Sequence, residues 1–155
     1  MGLDMHLSVK KHLADYDFMP EEKKVTKAIY ALLGVEDIVE HDNSVIIDIP
    51  VAYWRKANAI HKWMVDNVQG GVDDCGEYHV PPQKLEMLLS ICKDVMENPD
   101  KATQILPPSE GFFFGSVDID DRYFSSVKYT IERLEKIVGS KSNKGFGDIY
   151  YRSSW

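Results

Sequence analysis

The sequence predicts an α+β fold: a single domain of about four helices packed on a small sheet of three to four mostly antiparallel strands. Three observations carry this. Apolar residues recur at helical spacing in four separate stretches, at two-residue spacing in LDMHLSV, and in β-branched or aromatic runs elsewhere. The strand-like and helix-like stretches follow no regular βαβ alternation, which sets aside a parallel doubly wound sheet. The 155 residues, 44% hydrophobic and 28% charged, suit one ordinary globular domain (1–155) with its own core.

The elements follow in chain order. Leu3, Met5, Leu7 and Val9 alternate with Asp4, His6 and Ser8, the pattern of a half-buried strand. After the loop DYDFMP, Pro20 opens a helix with Glu21 and Glu22 at the positive end of its dipole. Val25, Ala28, Ile29, Leu32 and Leu33 form its expected apolar stripe, and Gly34 stops it. Asn43 introduces SVIIDIPVAYW, a strand expected to break or end at Pro50. Ala57, Ile60, Met64 and Val68 predict a helix over 54–68, closed by Gly70 and Gly71.

A short extended piece at 77–80 precedes Pro81 and Pro82, which start a helix with Leu85, Leu88, Leu89, Cys92, Val95 and Met96 as its core stripe. NPDKATQILPP breaks that helix, with room for one helical turn at 99–105. GFFFGSV reads as a short strand, and Asp118 or Asp120 as the N-cap of a helix striped by Val127, Ile131, Leu134 and Val138. Gly139 ends it, a flexible connector runs near 139–147, and DIYYRSSW is the last strand.

A net charge of −7 argues against binding duplex nucleic acid, which needs a broad basic face, but leaves room for a small anion. No apolar run approaches membrane-spanning length, and the N-terminus lacks the core of a signal peptide. Cys75 and Cys92 form no C-x-x-C pair and suit a reducing compartment. The five histidines share no H-x-x-x-H spacing. The expectation is a soluble cytoplasmic protein without cofactor, metal or membrane partner, with a homo-oligomer left open.

Three segments hold chemistry. In YWRKANAIHKW (53–63), helical spacing places Trp54, Arg55, Asn58, His61 and Lys62 beside the core stripe. A guanidinium next to indole rings would grip a nucleobase-like or phosphorylated ligand. The competing reading pairs Lys62 with Asp66 and sends the tryptophans to the core. In the loop Asp73-Asp74-Cys75-Gly76-Glu77, a thiolate beside carboxylates is repelled, which argues against a cysteine nucleophile. Asp73, Asp74 and Glu77 serve better as pocket walls, as ion-pair partners of Arg55, Lys56 or Lys62, or as cation ligands. In GFFFGS, a strand would turn Phe113 opposite to Phe112 and Phe114, presenting Phe113 to a ligand or burying both faces. Asp118, Asp120 and Asp121 argue against phosphate at the helix that follows.

Taken together, GLDM-x-L, YWRKANAIHKW, DDCGEY, GFFFGS and YYRSSW resemble a family of small proteins encoded by bacteriophages and prophages. The resemblance spans nearly the whole chain. It supplies no activity or catalytic residue to transfer; it implies a phage accessory protein acting in the host bacterial cytoplasm, countering host defence. Three readings follow: a non-enzymatic binding module for a small anionic, nucleotide-like ligand; a protein–protein inhibitor of a host factor; and a hydrolase using His61 with carboxylates or a metal.

Overall fold

The computed structural model describes residues 2–40, 44–140 and 147–155. Strands β1 (Asp4–Ala14), β2 (Ser44–Arg55), β3 (Glu77–His79) and β4 (Asp148–Ser154) form one antiparallel sheet in the order β2-β1-β4-β3. Four longer helices, α1 (Pro20–Leu33), α2 (Asn58–Asn67), α3 (Pro82–Glu97) and α5 (Asp121–Gly139), join a single-turn α4 (Ala102–Ile105) that follows a 3-10 turn at Pro99–Lys101. The class is α+β, as the sequence predicts. The expected connector near 139–147 lies largely, and Asn43 wholly, outside the described residues.

One face of the sheet carries the core. Met5, Leu7, Ala52, Trp54 and Tyr151 pack with Ile60 and Met64 of α2, Leu88 and Cys92 of α3, and Val127 and Leu134 of α5. Each large apolar side chain removed from water there contributes about 1.5–3 kcal/mol. The alternating residues turn the other way: Tyr53 stands over His6, and Lys10 pairs with Asp48 at 3.2 Å and Glu77 at 2.6 Å. No helix among the described residues is long and apolar enough to cross a membrane.

The structure corrects several local expectations. Strand β2 does not end at Pro50 but runs on to Arg55, so Trp54 and Arg55 belong to a strand and α2 begins only at Asn58. Proline is tolerated because β2 is an edge strand and the register slips at this point: Leu7 pairs with Ala52 but Ser8 with Pro50, leaving Val51 as the extra residue of a bulge. The lost ladder is replaced from α5, since Arg133 Nε donates to Val51 O at 2.8 Å and Tyr129 Oη accepts from Tyr53 N at 3.2 Å.

Helix α1 is rolled away from its apolar stripe. Thr26 and Tyr30 are buried, whereas Val25, Leu32 and Leu33 are exposed. Polar anchors set the roll: Glu22 accepts from Ala14 N at 3.1 Å, Thr26 Oγ1 donates to Leu13 O at 3.4 Å, and Lys23 pairs with Asp17 at 2.6 Å. Residues 112–114 are a turn closed by Phe114 N donating to Gly111 O at 3.1 Å, so the expected GFFFGSV strand does not form.

Candidate functional site

At the end of β2 the chain reverses through Lys56 and Ala57 into α2. Lys56 has φ +57°, a left-handed conformation that costs a residue with a Cβ about 1 kcal/mol or more. The conformation is held by Lys56 N donating to Leu3 O at 2.7 Å. Two glycines admit the side chain: a Cβ on Gly2 would lie 3.1 Å from Lys56 Cε, and one on Gly115 would lie 3.2 Å from Lys56 Cβ. Its ammonium is thus delivered from a stem confined between two backbones.

Beside this turn lies a cleft of about 350 Å³, within the size range of small-molecule sites. One wall is Arg55, Lys56 and the first turn of α2, Asn58 to Ile60. The other is the 115–120 segment and the start of α5, contributing Ser116, Asp118, Asp120 and Arg122, with Tyr123 and Val127 as apolar lining. The two helix starts differ. Asp120 caps α5, its Oδ1 accepting from Arg122 N and Tyr123 N at 3.0 Å each, whereas Ala57 at the N-cap of α2 has no side chain to accept a hydrogen bond. The positive end of α2 therefore faces the cleft uncapped.

Arg55, Lys56 and Arg122 all line this cleft, and among the described residues none of the three lies within ion-pair distance of a carboxylate. They share this with Lys24, Lys84, Lys101, Lys128, Lys136 and Arg152, whereas Lys10, Lys23, Lys62 and Lys93 are paired; what sets the three apart is that they meet at one cleft.

The sequence-predicted site residues separate into three places. Arg55 and Asn58 line the cleft. Asn58, however, spends its amide on the protein: Nδ2 donates to Phe114 O at 3.2 Å and Ser116 O at 2.8 Å, and Oδ1 accepts from Ser109 N at 3.4 Å. It is a strut holding the opposite wall. Trp54 is core, with Nε1 donating to Thr130 Oγ1 at 2.8 Å and its ring edge-on to Tyr129. Lys62 sits on the solvent side of α2, paired with Asp66 at 2.7 Å.

His61 is 1% exposed, and both its ring nitrogens are occupied. Nε2 stands 2.9 Å from Asp73 Oδ2 and Nδ1 2.7 Å from the Tyr151 hydroxyl. Burial, reinforced by the Asp73 charge, pushes Tyr151 well above its ordinary value, so its hydroxyl stays protonated and donates to Nδ1. An ionised carboxylate can only accept, which puts the imidazole proton on Nε2. Phe114 closes over the ring edge-to-face at 5.0 Å. Sealed in this way, the histidine has no nitrogen to offer a substrate.

The acidic loop serves the same buried unit and does not line the cleft. Asp73 Oδ1 also accepts from Trp155 Nε1 at 3.1 Å, pinning the last residue of the chain. Asp74 accepts from Gly76 N at 2.8 Å and from the Tyr78 hydroxyl at 3.0 Å, and Glu77 pairs with Lys10. The expected ion pairs with Arg55, Lys56 or Lys62 do not form: only Glu77 pairs with a lysine, Lys10, while Asp73 and Asp74 are held by hydrogen bonds. Phe113 is also outside the lining; its carbonyl accepts from Leu3 N at 3.0 Å and its ring packs edge-on against Phe112. Among the described residues no three His, Cys, Asp or Glu side chains are grouped to hold a metal ion.

Sequence reasoning missed Lys56, Arg122 and the Ser116–Asp120 wall. Lys56 was legible as part of the cationic segment. That the start of α5 packs opposite the start of α2 had no local signal. No family model, curated protein or solved structure matches the chain.

Proposed function

We propose that this protein is a non-enzymatic binding module whose cleft holds a small anionic, nucleotide-like ligand. The observation that carries the reading is the convergence of Arg55, Lys56 and Arg122 on one ligand-sized cleft that opens on an uncapped helix start. Three cations against two carboxylates, Asp118 and Asp120, leave the cleft lining positive in a chain of net charge −7, which favours an anion there. Uncapped backbone N–H groups and planar guanidinium groups suit a phosphate better than a single carboxylate. The likeness of its motifs to phage and prophage proteins gives the context: an accessory protein that withdraws such a ligand from a host defence pathway. Hydrolysis is disfavoured by the burial of His61, the one histidine near carboxylates in the predicted site.

Native mass spectrometry of the protein purified from bacterial cells tests the reading. The expected result is a stoichiometric small anion that is released on denaturation and missing from the Arg55→Ala/Arg122→Ala variant. A ligand-free wild type, or a variant that keeps the anion, would overturn it. A second reading, a host-protein inhibitor, is favoured by the exposed apolar side chains Leu32, Leu33 and Ile38, at 85, 66 and 80% exposure. It is supported if a host protein binds and Leu32→Ser/Leu33→Ser abolishes that binding.

A further inference from the structure

The cleft is not lined as a plain anion hole would be. Facing the cationic wall are two carboxylates, each with an oxygen to spare. Asp118 Oδ2 accepts from Ser116 Oγ at 2.6 Å, and Asp120 Oδ1 is spent on the α5 cap. The second oxygen of each has no donor among the described residues. A ligand carrying only negative charge and no donor, such as sulfate, would gain from Arg55, Lys56 and Arg122 and lose to Asp118 and Asp120. A ligand carrying hydroxyl donors beside its anion converts that repulsion into charge-assisted hydrogen bonds.

We infer, resting on the anion-binding reading above, that the ligand is a phosphate ester of a polyhydroxylated sugar, with its phosphate at the start of α2 beside Arg55 and Lys56, and its hydroxyls on Asp118 and Asp120. This chemistry is shared by free sugar phosphates and by nucleotides. The apolar lining from Ile60, Tyr123 and Val127 provides a surface for the carbon skeleton or a base. Rejection of sulfate follows from the same geometry, because the carboxylates penalise any anion that brings no donor.

Calorimetric titration of the whole chain with sulfate, ribose 5-phosphate, adenosine monophosphate and ribose separates the possibilities. Ribose 5-phosphate is expected to bind at least about tenfold tighter than sulfate, the gain of one hydrogen bond to a charged group. Ribose alone should not bind measurably. Asp118→Ala, at an exposed position outside the core, should weaken ribose 5-phosphate about tenfold yet tighten sulfate, because a negative charge has been removed. Adenosine monophosphate binding tighter than ribose 5-phosphate assigns the ligand to the nucleotides; equal binding assigns it to the sugar phosphates. Equal affinity for sulfate and ribose 5-phosphate would overturn the hydroxyl assignment while leaving the anion site standing. So would binding that appears only with magnesium, since the carboxylates would then be serving a metal. If none of the phosphorylated probes binds, the anion-binding reading itself fails.

Discussion

Asp73 Oδ2 lies 2.9 Å from Nε2 of His61, joining the acidic loop to the buried side of α2. The pair belongs to the core rather than to the cleft, and this has a testable consequence. His61→Ala leaves the buried Tyr151 hydroxyl and one Asp73 oxygen without their partner. Unfolding in urea should show a loss of about 2–3 kcal/mol, while the anion is retained in native mass spectrometry. Loss of the anion from a variant that still folds would instead place His61 in the site.

Lys56 and Lys62 are six residues apart and should behave oppositely. Lys62→Ala removes an exposed i,i+4 pair and should change stability by no more than about 0.5 kcal/mol, with no effect on anion binding. Lys56→Gly relieves a strained backbone and should raise stability by up to about 1 kcal/mol while weakening the anion. Thermal melts with and without ribose 5-phosphate distinguish the two. A destabilised Lys56→Gly would show that its side-chain packing between Gly2 and Gly115 outweighs the strain.

The contrast shows what the sequence could and could not reveal. Periodicity located α3 and α5 because a buried helix face needs apolar residues every three or four positions, and Leu88, Cys92, Val127 and Leu134 supply them. Alternation located β1 for the same reason. The errors came where tertiary context overruled local pattern. Pro50 survives in a strand only because β2 is at the sheet edge, and that is a property of strand order. The α1 stripe is exposed because Glu22, Lys23 and Thr26 find partners on and just after β1. In the site, YWRKANAIHKW was identified as a cationic segment, but the strand-to-helix break at Lys56 divides it. Trp54 then faces the core while Arg55 reaches the cleft. Helical spacing could not show that division, nor could it pair the start of α2 with the start of α5.

Asn58 joins the two walls, so its loss should loosen one wall selectively. Asn58→Ala removes three hydrogen bonds to the 109–116 segment and should cost about 2–3 kcal/mol. Amide hydrogen exchange should accelerate over 109–116 before it does so in α3. Anion affinity should fall as well, because Ser116 and Asp118 would no longer be held across from Arg55. Uniform acceleration throughout the chain would mean that Asn58 supports the whole domain rather than one wall.

Alkaline pH should expose the burial of Cys92. Burial pushes this thiol from an ordinary value of 9.0 up to about 12. Tyr123, between α5 and the α4 turn, is likewise pushed from 10.0 to about 12, chiefly by burial. The native chain therefore keeps protons that the unfolded chain releases, and stability must fall as pH rises. The window opens near pH 9, where unfolded Cys92 begins to ionise, and widens above pH 10 as Tyr123 and Tyr151 join it. Each group contributes a slope approaching about 1.4 kcal/mol per pH unit between its unfolded and folded values. Urea unfolding at pH 7, 9, 10 and 11 in the presence of reductant measures it. Cys92→Ala should be less stable than wild type at pH 7, because it leaves a cavity, yet lose less stability between pH 9 and 11. An unchanged slope in that variant would mean that other groups set the alkaline limit and that the Cys92 pocket admits water.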